Sequence, residues 1–215
     1  VMVDWPEGQQ RLDAWRAAHP APRTVATGFV ARDATGRATT LGRNGSDYSA
    51  AIFGALVMSP EILIWTDVDG VLSADPRLVP EAVFLPSLSY SEACELAYFG
   101  AKVIHPQTMA PAIARKIPLR ICNTFAPEKP GTVISANATT TPPVKGLTTF
   151  GQLAIINVEG AGMIGVPGTA ERVFGALHRA GVSVVMISQG SSEHSICLVV
   201  EAKRADEAVQ VLSAA

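Results

Sequence analysis

Apolar and polar positions along the chain switch repeatedly between a helical and a strand-like rhythm. Ile52, Phe53, Leu56 and Val57 recur at helical spacing, so the pattern predicts a helix beginning near Tyr48. EILIWT (61–66) is a short apolar run that stops at the turn signal DVDG, the signature of a buried strand. RTVATGFVARD (23–33) reads as a strand followed by a turn at Gly36. SYSEACELAYFG (89–100) pairs Ser89 with Glu92 three residues on and closes on Gly100, which predicts a helix with a capping box and a glycine stop. Pro106 opens another helix toward Lys116, and PLRICN (118–123) is a further strand.

Strands alternating with helices predict an α/β sheet with a largely parallel core over residues 1–135. Residues 136–146, ANATTTPPVKG, are small, polar and proline-rich and read as a linker. The pattern then restarts over 147–215. QLAIINV is a strand. PGTAERVFGALHRAG is a helix with Ala170, Val173, Phe174 and Leu177 on one face, Pro167 near its start and Gly181 at its end. VSVVMIS and SICLVV are strands around the turn-rich QGSSEH, and ADEAVQVLSA is a last helix. The order β-α-β-β-α is a ferredoxin-like pattern that stops where a fourth strand fits. The opening VMVDWPEGQQ reads like the middle of a protein, so a piece of a longer chain is expected.

Composition narrows the class. Of 215 residues, 48% are apolar and 17% charged, which fits globular units and not a disordered chain. A formal net charge of −2 supplies no basic surface for nucleic acid or an anionic membrane, so neither is expected as a partner. Cys94, Cys122 and Cys197 are odd in number and lack metal spacing, which points to reduced thiols and a cytoplasmic setting.

Three stretches of the first part carry candidate chemistry, and the second part adds its own. In LGRNGSDYS, Gly42 and Gly45 let backbone amides approach an anion, and the following helix aims its positive end at the same place. Arg43 can fork onto a carboxylate or phosphate, and Ser46 and Asp47 can hold an ammonium or a metal-bound water. The plain alternative is a glycine-rich turn capped by Ser46 or Asp47. In IWTDVDGVLSADPR, Thr66, Asp67 and Asp69 follow a strand, where open α/β sheets bind ligands. Two carboxylates there suit Mg²⁺ or ribose hydroxyls, and a solvated acidic turn is the alternative. In YFGAKVIHPQT, Lys102 can meet phosphates or only the negative end of a helix, and His105 reads as structural. In the second part, GAGMIGVPGTAERV offers a loop at a helix start that suits an amino acid's carboxylate, and Gln189 can both donate and accept. An ordinary helix entry and hairpin explain the same residues.

TTLGRNGSDYSAA, WTDVDGVLSADPR and ELAYFGAKVIHPQT, in that order, resemble the aspartate kinases of the amino-acid kinase family. The run from Val158 to Val200 is similar to the first regulatory ACT unit of those enzymes, with wording nearest the forms fused to homoserine dehydrogenase. The resemblance implies the C-terminal half of a carbamate-kinase-like α/β sandwich followed by an incomplete ferredoxin-like ACT unit (α+β). It implies transfer of a phosphoryl group from MgATP to the side-chain carboxylate of L-aspartate, the opening step toward lysine, threonine and methionine. It assigns Arg43, Asn44, Gly45 and Ser46 to the substrate, and Arg43, Asp47 and Lys102 to catalysis. ATP would meet Thr66, Asp67, Leu72, Arg77, Lys102 and Val103, with Leu72 standing where the family often has tyrosine. Threonine or lysine, as effector, would meet Val166 and Gln189. Assembly into homo-oligomers through ACT units is implied, as is a plastid location if the parent is a plant protein. The family's Lys-Phe-Gly-Gly-Thr loop is absent, so this stretch alone is expected to bind nucleotide at best. A chain acting only as an amino-acid-binding regulatory module, and another amino-acid kinase, are the alternatives.

Overall fold

The computed structural model describes residues 2–98, 105–138, 142–190 and 194–215. They form two compact units, Val1–Thr149 and Phe150–Ala215. The first begins with α1 (Trp5–Ala18), capped by Asp4, whose Oδ1 accepts the Glu7 amide at 3.1 Å. α1 buries none of its residues and lays Gly8 against Leu56. β1 (Val30–Arg32) and β2 (Ala38–Thr40) form an antiparallel hairpin. Its turn is tied by the Asp33 carboxylate, which accepts from the Thr35 amide and hydroxyl and from the Arg37 amide. The strand expected over 23–33 is therefore only its last part. Val25 is fully exposed, so the apolar residues before Gly28 find no surface that would make extended structure worthwhile.

α2 (Gly45–Leu56), β3 (Ile62–Thr66), β4 (Ser87–Ser89), α3 (Tyr90–Tyr98), α4 (Pro106–Arg115), β5 (Leu119–Asn123) and β6 (Thr132–Ser135) follow. The sheet order is β3-β5-β6-β4. β3 runs parallel to β5 and β4 parallel to β6, while β5 and β6 are antiparallel. One face is the core. Ile62, Ile64, Leu88, Leu119, Ile121 and Ile134 pack with Ala93, Met109 and Ala112 from the helices. Each fully buried Leu or Ile there contributes about 1.5–3 kcal/mol. The other face of β3 shows Leu63 and Trp65 to solvent.

Short links set the directions that matter. Only residues 57–61 separate α2 from β3, and Gly54 leaves no room for a side chain against Ile62. α2 thus lies back along β3, with its first turn at the strand's C-terminal edge. Residues 116–118 join α4 to β5 in the same way, turning at Lys116 in the left-handed region. Both helices therefore start at the edge where β3 and β5 end, and they pack side by side.

The second unit holds β7 (Leu153–Glu159), α5 (Thr169–Arg179), β8 (Val184–Gln189), β9 (Ser195–Glu201) and α6 (Ala205–Ser213). Its antiparallel sheet has the order β7-β9-β8. Ile156, Ile196, Leu198 and Val200 pack against Val173, Leu177 and Ala208 of the two helices. This is the β-α-β-β-α order that the apolar pattern predicts. The described units divide between Thr149 and Phe150. Within the stretch read as a linker, Lys145 and Gly146 pack against the first unit. No described helix is long and apolar enough to cross a membrane.

Candidate functional site

The shared edge of β3 and β5 gathers polar side chains. Thr66 ends β3, and its carbonyl accepts the Thr124 amide at 2.8 Å. The Thr66 hydroxyl donates to exposed Asp67 at 3.2 Å. Asp69 turns the other way, accepting from Asn123 Nδ2 at 2.6 Å and from Lys129 Nζ at 2.6 Å. The Lys129 bond, then the Asn123 bond, hold its carboxyl below the ordinary range. Asp69 thus braces the turn after β3 against the end of β5 and leaves Asp67 facing solvent.

Gly70 has φ 145°, and a Cβ there would lie 2.4 Å from Thr132 Oγ1. That hydroxyl, fully buried, accepts the Val71 amide at 2.8 Å and donates to the Leu85 carbonyl at 2.7 Å. It closes the base of the loop 71–85, across which Leu72 bridges Phe84. At the loop's tip Arg77 Nη2 meets Asp75 Oδ2 at 2.6 Å. Leu72 is half-buried and Arg77 exposed.

At the same edge stands the first turn of α2. Asn44 adopts a left-handed conformation (φ 54°) and contributes no side-chain cap. The amides of Ser46 and Asp47 therefore belong to a helix start whose N–H groups have no intrahelical acceptor. Gly45 is buried with no room for a side chain, since a Cβ would lie 2.7 Å from Phe29 Cδ2. Buried Ser49 donates to the Gly45 carbonyl at 2.8 Å and accepts the Phe29 amide at 2.9 Å. The turn is thus anchored from below while Arg43, Asn44 and Ser46 stay exposed. Burial pushes the half-buried Asp47 carboxyl above its ordinary value.

α4 starts at this edge too. His105 Nδ1 accepts the Gln107 amide at 3.2 Å, so this histidine is a helix cap, as its sequence context suggests. Lys102 and Val103, just upstream, lie outside the described residues. Two helix starts and two strand ends share this edge, the kind of place where helix N-termini in α/β sheets favour anions, and the carboxylate of Asp67 stands exposed beside it. The topology brings residues 43–47 and 66–67 to this edge. Among the described residues no three His, Cys, Asp or Glu side chains form a group able to hold a metal ion.

In the second unit a cavity of about 350 Å³ opens beside the start of α5. Val166 and Gln189 both line it, with Met163, Thr169 and Ile196. The two sequence-predicted residues, on a loop and on β8, share one pocket.

Residues 12–123 match the family model described as the amino acid kinase family. The chain belongs to the amino acid kinase family. Residues 156–215 of this family member match an ACT domain model. It is 49% identical over 218 residues to the chloroplastic bifunctional aspartokinase/homoserine dehydrogenase 2 of Arabidopsis thaliana, covering 99% of this chain and 24% of that protein. It is also 49% identical over 211 residues to the bifunctional aspartokinase/homoserine dehydrogenase of Haemophilus influenzae, covering 98% and 26%. The chain thus spans about a quarter of the length of these curated relatives. Among solved structures it is similar to E. coli aspartokinase III in complex with lysine and aspartate, with TM-score 0.70 and 31% identity over 96% of this chain and 48% of that one. The same enzyme with aspartate and ADP gives 0.69 and 32%, over 90% of this chain and 44% of that one.

Sequence reasoning missed Asn123, Lys129 and Thr132. Their types were visible, but their partners lie 54, 60 and 61 residues away. The one usable signal is Asn123 itself, a polar residue ending a strand parallel to β3.

Proposed function

We propose that this chain is part of an aspartate kinase that transfers the γ-phosphoryl group of MgATP to the side-chain carboxylate of L-aspartate. The carrying observation is the 49% identity to bifunctional aspartokinase/homoserine dehydrogenases, sustained through both units. The edge geometry supports it. A carboxylate is already a nucleophile at neutral pH, so the protein's work is alignment and charge neutralisation. Two anions must meet, and Arg43, the amides of Ser46 and Asp47, and Lys102 offset their repulsion. Asn44, Gly45 and Ser46 orient the amino acid, and Asp47 orders the cationic groups around it. Thr66, Asp67, Leu72, Arg77 and Val103 hold the nucleotide. Mg²⁺ arriving on the phosphates needs only one or two protein carboxylates, and exposed Asp67 fits that part.

The second unit is an amino-acid sensor. Val166 and Gln189 take threonine or lysine in the 350 Å³ cavity, and binding there lowers kinase activity. Exposed Ile155, Met186 and Ile187 give this unit apolar surface for pairing with a second copy. The parent chain carries a homoserine dehydrogenase as well. The test is a coupled ADP-release assay on the full reading frame with MgATP. Aspartate-dependent release that threonine or lysine suppresses is expected; ADP release indifferent to aspartate would refute the reading.

A further inference from the structure

Residues 145–147 fasten two parts of the first unit at once. The Lys145 side chain is only 6% exposed, and its Nζ lies 2.8 Å from Glu92 Oε2. The same oxygen accepts the Ser89 amide at 2.7 Å, while Ser89 Oγ accepts the Glu92 amide at 3.1 Å. One carboxylate atom therefore serves both the capping box of α3 and the chain leaving toward the second unit. Two residues on, the Leu147 amide donates to the Ser73 carbonyl at 2.7 Å. Between them Gly146 sits tight, since a Cβ would lie 3.0 Å from Ser73 O and 3.2 Å from Leu96 Cδ2. Ser73 is doubly bonded to Val83, amide to carbonyl at 2.8 Å and hydroxyl from amide at 2.9 Å.

Both anchored parts lead to the phosphate edge. Ser73 lies in loop 71–85, whose base hangs on Thr132 and whose tip carries Arg77. α3 starts at the opposite edge, where Tyr90 Oη donates to the Ile117 carbonyl at 2.8 Å. It runs from there toward the edge where α4 begins, packing on α4, β4 and β6.

We infer that residues 145–147 are a positioning strap: Lys145 and Leu147, by gripping Glu92 and Ser73, set the place of α3 and of the nucleotide loop. The strap continues into the second unit after Thr149, so it is the covalent path by which effector binding there changes nucleotide handling. This coupling rests on the kinase reading above; the strap itself does not.

The test is Lys145→Met in the full reading frame, with Lys145→Arg as the conservative control. Amide exchange at Ser73, Val83 and Leu147 should quicken about tenfold while that of buried Ile121 holds. The KM for MgATP should rise with kcat kept within about twofold. Threonine or lysine affinity by calorimetry should stay unchanged while half-inhibition needs about fivefold more effector. Lys145→Arg should restore all three. Unaltered exchange overturns the strap. Faster exchange with an unaltered inhibition curve overturns the coupling. If the wild type shows no aspartate-dependent turnover, the kinase reading has failed, and the strap stands or falls on exchange alone. Gly146→Ala, which pushes on Ser73, replaces Lys145→Met with the same readouts if that variant does not fold.

Discussion

Thr132→Val exchanges one oxygen for one methyl group at the point that holds loop 71–85. The hydroxyl is fully buried, and the two residues it serves, Val71 and Leu85, are 4% and 6% exposed. Valine leaves the Val71 amide and the Leu85 carbonyl without this partner in a dry site, at about 1–3 kcal/mol for each group left unsatisfied. It also places a methyl where oxygen sits 2.8 and 2.7 Å from its partners, although carbon prefers about 3.5–4 Å. Room to move is short on the Gly70 side, where even a Cβ would lie 2.4 Å from this oxygen. The two losses share some relaxation, so about 3 kcal/mol is expected, more than a hundredfold in the folded-to-unfolded ratio. All three tryptophans, Trp5, Trp15 and Trp65, lie in the first unit, so their fluorescence during urea unfolding reports that unit alone. With a urea slope of about 1–3 kcal/mol per molar, the midpoint should fall by about 1–3 M. Thr132→Ser keeps the hydroxyl and should lose about 1 kcal/mol, the value of one methyl group. A valine midpoint within about 0.3 M of wild type, or a serine variant as damaged as the valine one, would refute the assignment of the loop's anchor.

Asp67→Ala should weaken MgATP binding about tenfold, since it removes a charge-assisted contact; unchanged affinity by calorimetry would reject Asp67 as a nucleotide ligand. Gln189→Ala should relax feedback inhibition of the full-length kinase, and wild-type inhibition by both threonine and lysine would contradict its place in the effector pocket. Glu92 is half-buried, which raises its carboxyl, but hydrogen bonds from Lys145 and Ser89 outweigh this and hold it below the ordinary range. Its stabilisation is therefore complete above the ordinary carboxylate value and lost as pH falls through the lowered one. Acid unfolding of the first unit should be steeper in the wild type than in Glu92→Gln, and parallel curves would show that the carboxylate is not coupled to folding.

Much of this architecture was legible because it is local. EILIWT and PLRICN became β3 and β5 because alternate apolar residues bury on one face, and Ser89 with Glu92 became the capping box that their spacing predicts. α1 was not legible: with none of its residues buried, it has no apolar stripe for periodicity to reveal. β6 is four residues long and joins the sheet antiparallel to β5, a pairing that a strand-helix alternation does not specify. The site divides in the same way. Asn44 to Asp47 and Thr66 to Asp67 announce themselves as glycine-rich and acidic turns after or before regular elements. The braces behind them, Asp69 with Lys129 and Thr132 with Val71, join residues 60 and 61 positions apart. Lys145 and Glu92 are separated by 53. In a single sequence each half of such a pair looks like an ordinary surface residue, and only folding makes it a partner.

The proposed kinase site requires that the first turn of α2, the end of β3 and the start of α4 face one polyanion. Manganese bound with ADP makes this directly measurable, because the paramagnetic ion broadens nearby amide signals in this 215-residue chain. Broadening is expected at Ser46, Asp47, Asp67 and Gln107 together, with Tyr90 and Ile117, at the opposite edge of the sheet, left sharp. Broadening at Tyr90 and Ile117, or at the α2 turn without the end of β3, would contradict it.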